Sequence, residues 1–257
     1  PHHPTFQPES FVTPPSPFHA WYIDNERLHV PRFYGIERFG DAEIDERTYG
    51  EALNVEFKGT LKTEQEKAHE VLCKRYLCPE GNGGAMVNIY CGGGKTVLGA
   101  KLVATLKRKT AVIVHKAVIR DQWKQTFEQF CPGIKVGFMQ GNICEVEGYD
   151  VVIMMVMTLA KRDSHVFSAD DFGMVIADEA HHIAAPITNM VMRKFKARWV
   201  VGMSATPVRP DGLTPLLHWS LGPEGYRALR TDATVKVSVA LFTGGTHEIL
   251  GRDGKPG

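Results

Sequence analysis

The sequence has almost no net charge: 30 Lys and Arg against 29 Asp and Glu leave +1 over 257 residues. No global positive field therefore argues for nucleic acid, and any surface for it has to be local. Apolar runs are short, none approaching the roughly 18 residues of a membrane-spanning helix, and no signal peptide opens the chain. Cys73, Cys78, Cys91, Cys131 and Cys144 form no C-x-x-C pair. That spacing disfavours disulfides and zinc and leads us to expect a soluble protein of a reducing, intracellular compartment, with no membrane partner. The 43% apolar content is enough for one good core and part of a second.

Texture changes along the chain. Pro1 to Pro17 holds six prolines and the pair His2-His3, which suits an extended lead-in and a solvated tail. Ala20 to Phe57 is aromatic and charged, with Trp21, Tyr22, Leu28, Val30, Phe33, Tyr34 and Phe39, and reads as short strands and turns. Two roles stay open for it. It is either an accessory domain that grips nucleic acid through aromatics and through Arg32 and Arg38, or a small aromatic core docked on the main domain. The chain starts without methionine and stops shortly after the strand-like Val235 to Phe242, so a fragment of something longer is expected. The division that follows is 1–58 as lead and accessory segment, 59–234 as main domain and 235–257 as the start of a connector.

The chain is organised around Ile89-Tyr90-Cys91-Gly92-Gly93-Gly94-Lys95-Thr96. An apolar run enters it and a helix-forming segment, Val97 to Leu106, leaves it. Consecutive glycines let the backbone turn its N–H groups onto a nucleotide's phosphates, Lys95 would reach the β- and γ-phosphates, and the Thr96 hydroxyl would hold Mg²⁺. The helix N-terminus adds its partial positive charge to the same anion. The strict signature takes Gly or Ala at the first of its eight positions, where this chain has Ile89.

Around this loop strand and helix alternate. Thr110 to Val114, Lys135 to Met139, Val151 to Val156, Met174 to Asp178 and Trp199 to Met203 read as strands, and Val118 to Phe130 as a helix. Such alternation predicts an α/β domain with a mainly parallel sheet covered on both faces. Upstream, Thr63 and Glu66 have capping-box spacing for a helix running to about Cys78, with Gln65 in its first turn. The Gln65 amide offers the donor and acceptor that an adenine edge needs.

Two further constellations follow apolar strands. Asp178 and Glu179 stand at the carboxyl end of Val175-Ile176-Ala177, where ligands of open α/β sheets collect. Asp178 is suited to holding Mg²⁺ and Glu179 to accepting a proton from an attacking water. Ser204-Ala205-Thr206 precedes Pro207, and its two hydroxyls can bond to the carboxylate loop and relay its state, or simply form a turn.

In this order the residues resemble superfamily 2 helicases and translocases over about Gly59 to Gly222. Gln65 matches the adenine-reading glutamine, Gly92-Gly93-Gly94-Lys95-Thr96 motif I, His115-Lys116 motif Ia, Asp178-Glu179-Ala180-His181 a DEAH box, and Ser204-Ala205-Thr206 motif III. Thr206 to Leu213 is similar to the XPB and UvsW branch, including relatives in large DNA viruses. The Val30 to Gly35 stretch resembles leaders of viral members. Cys91 stands where motif I usually has Thr, and Lys62 where the branch often has an Arg to stack on the base.

The resemblance implies a RecA-like first motor lobe of an ATP-dependent helicase or translocase using ATP and Mg²⁺. Its catalytic residues would be Lys95, Asp178 and Glu179, with Lys62 and Gln65 on the base. His181, Ser204 and Thr206 would couple hydrolysis to movement, and His182 would be a structural neighbour. Nucleic acid, DNA in preference to RNA, would be touched on its phosphates by His115, Lys116, Gln140, Gly141 and Thr158. Its other partner would be the second RecA-like lobe, with its arginine fingers, because nothing after Leu213 supplies motifs IV to VI. Two other classes stay open: the motor of a restriction or remodelling enzyme, and a non-catalytic ATP-dependent clamp.

Overall fold

A computed structural model describes residues 19–162, 167–168, 170–182, 185–206, 208 and 212–228. The proline-rich lead, Pro207, Arg209, Pro210, Asp211 and the expected strand and connector at 235–257 lie outside the described residues, as does the side chain of His182.

The described residues begin with a hairpin, β1 (Tyr22–Asp24) and β2 (Arg27–His29), turned by Asn25 and Glu26 at positive φ. Where short strands and turns were expected, Arg32–Phe39 is instead a helix, α1. Arg32 faces inward. Its guanidinium donates to the carbonyls of Ala197 (3.0 Å), Asn82 and Arg198 (both 2.8 Å). Burial, together with the charge of Arg47, lowers its pKa to about 9. That removes Arg32 from the expected nucleic-acid grip, whereas Arg38 remains exposed.

The chain then straps the amino ends of the main sheet. Thr48 exchanges backbone hydrogen bonds with Lys196 and Arg198, Lys109 N–H donates to Glu51 O, Leu53 N–H to Lys107 O, and Lys58 N–H to Phe130 O. The Lys109 ammonium, 2% exposed, pairs with Glu51 at 2.7 Å.

Among the described residues the main sheet has eight strands. In chain order they are β3 (Gly84–Ile89), β4 (Thr110–Val114), β5 (Val136–Gln140), β6 (Ile143–Cys144), β7 (Val151–Met155), β8 (Met174–Asp178), β9 (Trp199–Ser204) and β10 (Glu224–Ala228). Their spatial order is β10-β3-β9-β8-β4-β7-β5-β6, and every pairing is parallel except β5 with β6. The central strands β3, β4, β8 and β9 are buried along their whole length and mostly apolar because both faces are covered.

Alternate residues serve the two faces. Val87, Val112, Val114, Ile176 and Val201 pack in one core with residues of α2 (Thr63–Val71), α3 (Lys95–Leu106) and α4 (Ala117–Phe130). Ala111, Ile113, Met154 and Val175 pack on the opposite side with α5 (Val156–Lys161) and α6 (Ala185–Met192). Phe33 of α1 and Leu221 of α7 (Thr214–Leu221) join Met86 and Val200 there.

The expected helix start shifts by one residue. Lys62, not Thr63, is the cap, and Gln65 rather than Glu66 returns the hydrogen bond, its Oε1 accepting from Lys62 N–H at 2.7 Å. After Val71 the helix widens into a π-turn, Leu72–Tyr76, so the helical path ends at Tyr76 rather than Cys78.

Candidate functional site

The chemistry-bearing residues leave the carboxyl ends of neighbouring strands. The glycine loop follows β3, Asp178 and Glu179 end β8, and Ser204 ends β9, between the other two. Gly92 and Gly94 have φ of 80° and 81°, the left-handed region in which a side chain is strained. Ile89 is the buried last residue of β3, and its Cγ2 would lie 2.3 Å from a Cβ on Gly93, so the glycine makes room for the larger side chain.

Gln65 holds this loop from the side. Its Nε2 donates to Gly94 O at 3.0 Å and Gly93 O at 3.3 Å, and a Cβ on Gly94 would fall 2.0 Å from that nitrogen. Both ends of the amide are thus bonded within the protein, whereas the sequence reading aimed them at a base. Lys62 beside it is exposed.

Lys95 and Thr96 open α3 and are both buried. The Lys95 ammonium lies 3.1 Å from Glu179 Oε1, so the loop's cation and the proposed base neutralise each other. Asp178 is 4% exposed. Its Oδ1 accepts from Glu179 N–H at 2.9 Å and its Oδ2 from the Trp123 indole N–H at 2.7 Å. Burial pushes the Asp178 carboxyl above its usual range, opposed by the Trp123 hydrogen bond and the Lys95 charge.

The donor set suits a hard divalent cation, which takes a hydroxyl and a carboxylate oxygen: Thr96, in the helix after β3, and Asp178, at the end of β8, offer them on either side of β9. Glu179 Oε2 is buried and accepts no hydrogen bond among the described residues. It lies 3.4 Å from His181 Nδ1. That nitrogen is also 2.8 Å from Ser204 Oγ, which donates to Thr206 O at 2.6 Å and accepts from Thr206 N–H at 3.0 Å. Asp178, Glu179, His181 and Ser204 therefore form one connected group. Thr206 joins it through its backbone, while its side chain is exposed.

The expected track residues lie along the same edge. His115 and Lys116 follow β4, with Lys116 exposed at the start of α4. Gln140 ends β5, and Gly141 N–H donates to Thr158 Oγ1 at 3.1 Å. Two arginines escaped the sequence reading. Arg120 donates to Gln140 Oε1, and Arg162 to Gly141 O at 2.6 Å. Their one sequence signal is cationic character close to these residues; the contacts span about twenty positions. Trp123 escaped it as well, 55 positions from its partner.

A family profile described as type III restriction enzyme, res subunit, matches residues 58–209. A putative ATP-dependent RNA helicase, L396, of Acanthamoeba polyphaga mimivirus is 31% identical over 79% of this chain and 39% of its own length. The DNA 3'-5' helicase XPB of Kineococcus radiotolerans is 30% identical over 62% of this chain and 30% of its own. The chain thus spans well under half the length of either. The crystal structure of the UvsW helicase from bacteriophage T4 superposes with a TM-score of 0.59 at 17% identity, over 79% of this chain and 80% of that one, a likeness of fold. Among the described residues no helix is long and apolar enough to cross a membrane.

Proposed function

This chain belongs to the family of the type III restriction enzyme res subunit and to the XPB/UvsW-like, viral-type superfamily 2 helicases, and on that premise we propose that it is the nucleotide-hydrolysing motor lobe of an ATP-dependent nucleic-acid translocase. The observation that carries this is the joining of Lys95, Asp178, Glu179 and, through His181, Ser204 at the carboxyl ends of three neighbouring strands of one mainly parallel sheet. Residues 59–234 are the lobe, the strap before them is its support, and 235–257 lead to a second lobe.

In this reading Gly92, Gly93 and Gly94 cradle the phosphates, and Lys95 leaves Glu179 for the β- and γ-phosphates. Glu179, released, accepts the proton of the attacking water. Thr96 and Asp178 would hold Mg²⁺, which would supply charge neutralisation at the phosphates. Lys62 lies at the base, and Gln65 sets the loop on which the phosphates rest. His181, Ser204 and Thr206 report the state of the carboxylates to the nucleic-acid side. There His115, Lys116, Gln140, Gly141 and Thr158 touch phosphates. A DNA strand is favoured over RNA by the Kineococcus relative's name, while the mimivirus relative's name points to RNA. Exposed Cys91 and Cys144 support a reducing compartment, and the mimivirus likeness supports a viral origin.

The test is nucleotide binding by the chain itself. Titration calorimetry should show Mg-ATP binding that Lys95→Ala abolishes, because that substitution removes the cation facing the phosphates. Unchanged binding in Lys95→Ala would overturn the assignment.

A further inference from the structure

Trp123 is a fully buried residue to which the mechanism above gives no task. It lies on α4, and its indole N–H reaches Asp178 Oδ2 at 2.7 Å. The other oxygen, Oδ1, is taken by Glu179 N–H, so the carboxylate is held at both ends by donors from different elements. Room has been made for the ring. Gly99 sits within α3 although glycine is a poor helix residue, and a Cβ there would fall 2.3 Å from Trp123 Cη2. Phe127 packs beside it at 5.6 Å between ring centroids. Apolar packing alone would accept Phe or Leu at this position. An indole adds one thing, an N–H directed at a buried carboxylate, and donors of this kind orient carboxylates that hold metals.

We propose that Trp123 is a positioning residue of the nucleotide-metal site, fixing through Oδ2 the orientation in which Asp178 presents its carboxylate to the divalent cation. This rests on the reading of Asp178 as a metal-holding group. A structural tryptophan would affect folding and every ligand alike, whereas a positioning one affects metal-dependent binding selectively.

The cleanest probe replaces Trp123 by 3-benzothienylalanine, which keeps the bicyclic shape and exchanges the N–H for sulfur. Mn²⁺-ADP binding is measured by calorimetry and by the electron paramagnetic resonance of free Mn²⁺, beside ADP binding in EDTA and the thermal midpoint. We expect metal-dependent binding to weaken about tenfold or more, with metal-free ADP binding and the midpoint retained. Equal loss of both binding modes, or no loss in either, overturns the proposal. A second arm uses Trp123→Phe in an Asp178→Asn background. There the residual metal-dependent binding should not fall further, and an additive loss overturns the route through Asp178. Absence of metal-dependent ADP binding by the parent chain would instead overturn the nucleotide reading, and this assignment with it.

Discussion

Glu179 is a non-glycine residue held at φ 48°, in the left-handed region. A side chain in that conformation is uncommon and persists where surrounding contacts over-determine it. Here the contacts are Asp178 Oδ1 on its N–H and Lys95 on its carboxylate. Glu179→Gln removes the charge that holds Lys95, so nucleotide should bind at least as tightly as to the parent while hydrolysis stops, since an amide cannot take the water's proton. Calorimetry and phosphate release on one preparation check this, and a loss of binding equal to that of Lys95→Ala would contradict it. Ser204 makes a different demand. Its hydroxyl meets both His181 and the backbone of Thr206, whereas the Thr206 side chain is exposed. In the full-length protein Ser204→Ala should keep ATP affinity and much of the ATPase while strand displacement falls disproportionately, with Thr206→Ala milder. If thermal midpoint, ATPase and displacement decline in parallel, the turn merely supports the sheet.

At the scale of elements, the strap from Asp45 to Lys58 is pinned to the amino ends of the strands, opposite the site, by backbone hydrogen bonds and by ion pairs, one of which has a buried cation. Lys109 is buried and its carboxylate partner Glu51 is largely exposed. Removing Glu51 leaves a buried ammonium with one fewer acceptor, and orphaning a buried polar group costs about 1–3 kcal/mol. Removing the ammonium instead orphans an oxygen that water already reaches. Glu51→Ala should therefore lower stability in urea more than Lys109→Met does. The reverse order would mean that the Lys109 stem, not its charge, secures the strap.

Helix α1, which precedes this strap, is also where the sequence was least legible. The Arg32 contacts with Ala197 and Arg198 span more than 160 positions, and nothing local to Arg32 announces them. By contrast β4, β7, β8 and β9 could be read directly, because strands buried on both faces are unbroken apolar runs. The site divides in the same way. Lys95, Asp178 and Ser204 stood out because each ends or follows such a run. The Gln65 clamp on the loop carbonyls and the Trp123 donor are made by helices crossing to another strand's end, which only the packed structure supplies.

On the scale of the whole molecule, the site occupies the carboxyl ends of neighbouring strands of a single sheet, and among the described residues the lysine placed against the proposed base is Lys95. Phosphoryl transfer spreads charge over the γ-phosphate oxygens, and an arginine finger contributed from another domain accelerates it by about 10³ to 10⁵. The resemblance to superfamily 2 motors assigns that arginine to a second lobe, and the chain spans 39% of the mimivirus relative. Residues 1–257 alone should therefore bind Mg-ATP and turn it over slowly, with little stimulation by added strands. Joined to a second lobe of the proposed kind, the same lobe should gain roughly three or more orders of magnitude in rate. Single-turnover phosphate release, with and without single-stranded DNA and RNA, compares the two directly. The choice of strand that stimulates the longer protein also discriminates DNA from RNA as the track. Vigorous, strand-stimulated turnover by 1–257 would show that the catalytic cation is already inside this lobe, and the search for it would then begin at Arg120 and Arg162, the arginines bonded to Gln140 and Gly141.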